Sequence, residues 1–262
     1  MPHPVLDKPE ILRAIFHPRP EYPLSVAAPA GHPLSIHVKP GVSVGARLYI
    51  ASAEAPIIAY WHGNGEIAAD YDALAPLYTR MGITLLVADY RGYGTSTGTP
   101  TCSSLLSDAT AVFRSTKGIF EHHGLMPSRL YAMGRSLGSA AAIEVAAEAQ
   151  DELAGLILES GFADTFALLA RLGAGPTGAI EARDGFGNAD KIGRVTVPTL
   201  IIHGEDDVLI PARDGEELFR HSGAEDKRLL LIPRAGHNDL MLVGQTEYLD
   251  AIRAFVWGDS GG

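Results

Sequence analysis

The chain has 262 residues, of which 46% are hydrophobic and 20% charged, and carries a formal net charge of −10; this is enough for one α/β domain with a sizeable core, and the composition is that of a globular protein. The acidic balance, with no basic run against it, excludes a nucleic-acid surface, and the single cysteine, Cys102, excludes an internal disulfide and suits a reducing compartment. No stretch is long and apolar enough to span a bilayer, and Met1-Pro-His-Pro-Val-Leu-Asp7 lacks the basic-then-apolar order of a signal peptide, so a cytoplasmic protein without a stable membrane anchor is expected.

Residues 1–24 are proline-rich and read as an arm with one helical turn around Ile11–Phe16. Leu34–Val38 and Val44–Ile50 form two short strands about a turn at Pro40-Gly41. Pro56–Trp61 is a continuous apolar run, the mark of a strand buried on both faces, and it ends in His62-Gly63-Asn64-Gly65-Glu66. Ile67, Tyr71, Leu74, Leu77 and Tyr78 share one helical face, which Pro76 kinks or restarts and Gly82 ends. Thr84–Ala88 is the next buried strand. After the loop Asp89-Tyr-Arg-Gly-Tyr-Gly94 comes an amphipathic helix marked by Leu105, Ala109, Val112 and Phe113, with Thr101 or Ser103 as its cap.

A strand from Leu130 runs into Gly134-Arg-Ser136-Leu-Gly138 and an alanine-rich helix that reaches about Gln150. Leu153–Leu158 is a buried strand. Residues 162–194 have no clean period and are broken by Gly173, Gly175, Pro176 and Gly178, which reads as a short cap over the strand ends. Thr199–Ile202 is followed by His203-Gly-Glu-Asp-Asp207, a helix over Ala212–His221, a last strand over Arg228–Ile232, and the loop Pro233-Arg-Ala-Gly-His237-Asn-Asp239. Tyr248 to Val256 define a final helix, and Gly258–Gly262 should fray. Strand–helix alternation predicts a single α/β domain over residues 1–262, with a mostly parallel sheet covered on both faces and its functional loops beyond the carboxyl ends of the strands.

G-x-S-x-G between a strand and a helix is the nucleophile elbow: glycines flank a strained turn so that the hydroxyl of Ser136 projects at the top of the sheet. A serine hydroxyl needs a base to take its proton and a third group to orient that base. His237, in the loop after the last strand, is the candidate base. The acid lies among the adjacent Glu205, Asp206 and Asp207, and spacing from Gly204 and Pro211 favours Asp207 over Asp206. The amide of Leu137, at a helix N-terminus, and that of Asn64, in the glycine-flanked turn after Trp61, are candidate oxyanion donors. His62 reads as a buttress of that turn and Glu66 as a residue favouring the start of the next helix. Arg91 and Tyr93 could contact substrate but read rather as buttresses of their loop, with Arg91 anchored on carbonyls or Asp89, and Cys102 reads as an ordinary thiol. His122-His123 has no further metal ligand at the right spacing, and Gly92-x-Gly94 does not open a helix as a dinucleotide loop must.

His62-Gly-Asn-Gly-Glu66, Asp89-Tyr-Arg-Gly-Tyr-Gly94, Gly134-Arg-Ser-Leu-Gly-Ser139, His203-Gly-Glu-Asp-Asp-Val-Leu-Ile-Pro211 and Ala235-Gly-His-Asn-Asp239 together resemble the motif set of α/β-hydrolase serine hydrolases, in particular the small-cap branch with monoacylglycerol-lipase-like and depalmitoylase-like members. The resemblance spans about Leu34 to Trp257. It implies Ser136 as nucleophile, Asp207 as acid, His237 as base, and Asn64 with Leu137 as oxyanion donors; from the residues themselves no cofactor and no metal are expected. The chain departs from depalmitoylase-like members in having Gly65 where alanine is frequent and in lacking a cysteine-rich N-terminal segment, so a membrane-bound lipidated substrate is not implied. The expected activity is hydrolysis of a small-molecule carboxylic ester of small or medium acyl length through an acyl-serine. Thioester or amide cleavage by the same residues and a non-catalytic binding protein are the alternatives.

Overall fold

The computed structural model describes residues 2–22 and 31–258. Eight strands form one sheet: β1 (His32–Lys39), β2 (Val42–Tyr49), β3 (Ile57–Trp61), β4 (Thr84–Ala88), β5 (Leu130–Arg135), β6 (Gly155–Glu159), β7 (Thr199–Gly204) and β8 (Lys227–Ile232). Their spatial order is β1-β2-β4-β3-β5-β6-β7-β8. β2 runs antiparallel to both of its neighbours, and every other pairing is parallel. The reversal follows from the short β1–β2 turn, where Gly41 takes a φ of 75°.

Every residue of β3, β4, β6 and β7 is buried, as their unbroken apolar runs require. Alternate side chains feed two cores. Ile57, Ala59 and Trp61 of β3 join the core that contains the apolar faces of α3 (Cys102–His122) and α4 (Gly138–Ala149). Ile58 and Tyr60 join the opposite core, with α2 (Ala75–Arg80) and the C-terminal α10 (Gln245–Trp257). The alanines Ala140, Ala141 and Ala142 are fully buried, which lets α4 lie close on the sheet. Thr101 is the cap of α3: its side chain accepts from the Ser104 amide at 3.0 Å.

The arm carries α1 (Pro9–Ile15), and Leu6, Ile11, Ile15 and Phe16 are buried in the main core. The stretch expected as one interrupted helix after residue 67 divides into a 3₁₀ turn, Ala68–Asp72, and α2, with Pro76 in the first turn of α2. Proline has no N–H to donate, so it sits where a helix begins rather than where one continues. Gly82, at a φ of 76°, closes α2 as expected. β6 starts at Gly155 instead of Leu153 because a 3₁₀ turn over Gln150–Glu152 follows α4.

Residues 162–194, expected to be irregular, hold three short helices: α5 (Thr165–Arg171), α6 (Glu181–Asp184) and α7 (Asn188–Ile192). Asp164 caps α5, accepting from the Ala167 amide at 2.7 Å. α8 (Ala212–His221) precedes β8, and α9 (Leu240–Val243) follows the His237 loop. The fraying expected at the C-terminus falls, past Gly258, outside the described residues.

Candidate active site

β5 delivers its chain into Ser136 at a φ of 51°, a left-handed conformation that a side-chain-bearing residue adopts only under constraint. The Ser136 amide donates to the carbonyl of Glu159 at 2.9 Å, and the Ser139 hydroxyl donates to the Ser136 carbonyl at 2.7 Å. Glycine is obligatory on both sides of this turn. A Cβ at Gly134 would stand 2.1 Å from the Gly138 carbonyl oxygen, and one at Gly138 would stand 2.0 Å from that of Trp61.

The loops after β7 and β8 meet over this turn. His237 Nε2 lies 2.9 Å from Ser136 Oγ, and His237 Nδ1 lies 2.7 Å from Asp207 Oδ2. A carboxylate only accepts, so Nδ1 carries the ring proton and Nε2 is free to receive one from the hydroxyl. Asp207 Oδ1 accepts from the amides of Leu209 at 2.9 Å and Ile210 at 2.8 Å. His203 donates from Nε2 to the Ile210 carbonyl at 2.7 Å and stands 3.5 Å from Asp207 Oδ2. Burial alone would raise the Asp207 pKa, but the hydrogen bonds from His203 and His237 and those from the loop amides hold it well below the usual carboxylate range. Glu205 and Asp206 are exposed, and neither reaches the imidazole.

Asn64 and Leu137 line, with Ser136, a cavity of about 60 Å³ whose remaining walls are Ile15, Thr165, Leu168, Leu169, Leu172, Phe186 and Leu209. Among the described residues neither the Asn64 nor the Leu137 backbone amide has a hydrogen-bond acceptor in the protein. The turn bearing Asn64 is tied down by Tyr93 of the Asp89–Gly94 loop and by His17 and Arg19, which sequence reasoning did not single out. Asn64 Oδ1 accepts from the His17 amide at 3.0 Å and the Tyr93 hydroxyl at 2.7 Å, while Asn64 Nδ2 lies 2.7 Å from His17 Nδ1. Arg19 Nε donates to the Gly65 carbonyl at 3.2 Å. These partners lie more than twenty residues away along the chain, beyond any local pattern.

His62 is fully buried and presents Nδ1 to the Gly63 carbonyl at 2.9 Å and Nε2 to Asp89 at 3.1 Å. Burial opposes its charge, yet the Asp89 hydrogen bond prevails and its pKa rises. This is the buttress that the sequence suggested. Arg91 also anchors its loop, but on Asp108 of α3 through two bonds of 2.6 and 2.7 Å, not on carbonyls or Asp89. Asp89 accepts instead from His62 and from the Ala68 amide. Glu66 is more than a helix-start residue: it accepts from the Gly63 amide and the Tyr71 hydroxyl, each at 2.9 Å, and pairs with Arg135. Cys102 is buried, and burial pushes its thiol pKa up.

The model of the serine aminopeptidase S33 family matches residues 52–172 and 188–241. An uncharacterised protein of Mycobacterium tuberculosis is 31% identical over 252 residues, covering 93% of this chain and 86% of its own length. The human alpha/beta hydrolase domain-containing protein 17B is 32% identical over 199 residues, which are 74% of this chain and 64% of that protein. Among solved structures, the Pyrococcus furiosus esterase Pf2001 superposes with a TM-score of 0.72 at 18% identity, over 91% of this chain and 98% of the esterase. No helix among the described residues is long and apolar enough to cross a membrane.

Proposed function

The chain belongs to the serine aminopeptidase S33 family of α/β-hydrolases, and from that membership we propose that it is a serine hydrolase that cleaves small carboxylic esters through an acyl-serine. The observation that carries this reading is the continuous relay Ser136–His237–Asp207, at 2.9 and 2.7 Å, opening onto a small apolar cavity. In the proposed reaction Ser136 Oγ attacks the acyl carbon as His237 Nε2 takes its proton. Asp207 fixes the imidazole tautomer and stabilises the imidazolium that forms. The amides of Leu137 and Asn64, which have no acceptor among the described residues and line the same cavity as Ser136, supply the hydrogen bonds that the oxyanion needs. His237 then protonates the departing alcohol and activates water, which attacks the acyl-serine and frees Ser136.

The cavity bounds the acyl group. It lies directly beside Ser136 and both proposed oxyanion donors. Its walls are mostly leucine, isoleucine and phenylalanine, so an alkyl acyl group is favoured over a polar one. The proposal therefore ranks p-nitrophenyl butyrate above the p-nitrophenyl monoester of succinic acid, whose acyl chain ends in a carboxylate, in kcat/KM.

The deciding experiment is paired. A fluorophosphonate probe should label wild-type protein at Ser136 and leave Ser136→Ala unlabelled, and the same substitution should abolish p-nitrophenyl acetate turnover while the melting temperature holds. Folded protein that resists the probe, or turnover that survives in the alanine variant, would remove the hydrolase assignment.

A further inference from the structure

Resting on the hydrolase reading, we infer that Arg135, the residue immediately before the nucleophile, is a positioning residue that locks the His237 loop and the oxyanion turn to the elbow. Its guanidinium makes four connections from a side chain that is 12% exposed. Nη2 donates to the His237 carbonyl at 2.8 Å and to Asn238 Oδ1 at 2.9 Å. Nε donates to Glu159 Oε1 at 3.0 Å, and Nη1 to Glu66 Oε1. Each partner leads to a different part of the site. Glu66 holds the Gly63 amide, one residue from Asn64. Glu159 gives its backbone carbonyl to the Ser136 amide and its other carboxylate oxygen to the hydroxyls of Tyr248 and Tyr60.

The loop that carries His237 is otherwise thinly held at that residue. Among the described residues, Arg135 is the one hydrogen-bond partner of the His237 and Asn238 main chain. The imidazole must stay aligned with Ser136 Oγ while it gains a proton and then gives it up, so its backbone has to be fixed from outside the relay. The cation is also well suited to its burial: desolvation works against it, but the carboxylates of Glu159 and Glu66 keep it charged throughout the working range. A planar fork with three nitrogens is what four acceptors in divergent directions require. A lysine ammonium can neutralise the two carboxylates, but as a point charge it does not reach the His237 carbonyl and Asn238 at the same time.

Arg135→Lys is therefore the test, because it keeps the buried charge and removes the fork. On p-nitrophenyl acetate kcat should fall ~10- to 100-fold with KM within about threefold, since what is lost is alignment in the transition state and not substrate affinity. In the proton NMR spectrum the low-field His237 Nδ1–H signal, expected in the wild type from the 2.7 Å contact with Asp207, should broaden or disappear. Wild-type kcat with an intact low-field signal would overturn the proposal, as would a loss confined to KM. If the lysine variant does not fold, Glu66→Gln decides: it retains an acceptor for Gly63 and Tyr71 and removes one arm of the clamp. It should lower kcat about threefold to tenfold without moving KM, and unchanged kcat would refute the clamp. The hydrolase reading fails separately, if wild-type turnover does not depend on Ser136. The low-field signal of Arg135→Lys then still reports on the clamp alone.

Discussion

Asp207 shows how strongly the site specifies a single side chain. Its two oxygens take two loop amides and the His237 ring, with His203 behind them, and Asp206 next door points to solvent. Asp207→Asn should lower kcat on the order of 10³-fold, because the amide favours the wrong imidazole tautomer. Asp206→Asn should leave the ester assay nearly unchanged, and a larger loss in Asp206→Asn would reverse the assignment. The depressed native pKa of Asp207 also has a sign for stability. Unfolded, the group titrates near ~4, so as the pH falls below that value the unfolded chain takes up a proton that the native chain refuses. Its contribution is complete above the ordinary carboxylate range and is lost as the pH drops through the depressed native value. Urea midpoints measured against pH should therefore fall less steeply on the acid side in Asp207→Asn than in the wild type. Ser136 and His237 were legible in the sequence because each sits in a short glycine-marked loop at a strand end. Arg135 and Glu66 were not, since their bonds join residues 69 apart, and Arg135 reaches the His237 carbonyl 102 residues away. No local spacing encodes such contacts.

Among the elements, the β5–α4 elbow tolerates least. The 2.0 Å approach that a Cβ at Gly138 would make to the Trp61 carbonyl cannot be relieved by a rotamer change, because both partners are backbone. Gly138→Ala should cost about 3 kcal/mol or prevent folding, as read from urea unfolding. The α3 cap is an ordinary case beside it. Thr101→Ala loses the bond to the Ser104 amide and should lower stability by about 1 kcal/mol with kcat unaffected. Buried strands such as Thr84–Ala88 were legible to the residue, because continuous apolar runs bounded by turns have few alternative uses. The three short helices of residues 162–194 were not: at four to seven residues each they are too short to establish a period, and their glycines argue for loop. Tertiary packing of Leu169 and Ile192 fixes α5 and α7 instead, and the Glu181 carboxylate, accepting from Thr165 and Gly187, ties α6 down.

At the scale of the whole molecule, the parallel sheet gathers the candidate residues. Asn64, Ser136, Asp207 and His237 follow β3, β5, β7 and β8, so residues far apart in sequence meet over one edge. The N-terminal arm belongs to this assembly. Leu6, Ile11, Ile15 and Phe16 are buried at roughly 1.5–3 kcal/mol each, a sum comparable with the ~5–15 kcal/mol that holds a typical domain together. A chain lacking residues 2–22 should fail to show a cooperative thermal transition by circular dichroism, and a stable, fully active truncation would refute that estimate. The arm crosses the turn that holds Asn64, through His17 and Arg19, and is tied to α3 by Asp7–Ser103 and to β2 by Glu21–Arg47, but among the described residues its backbone adds no strand to the sheet and pairs only as an isolated bridge at Pro20–Gly94. The sheet can therefore assemble before that turn is secured. After dilution from denaturant, far-UV ellipticity should return ahead of the proposed p-nitrophenyl acetate turnover, and weakening the His17 contact should widen the interval between the two.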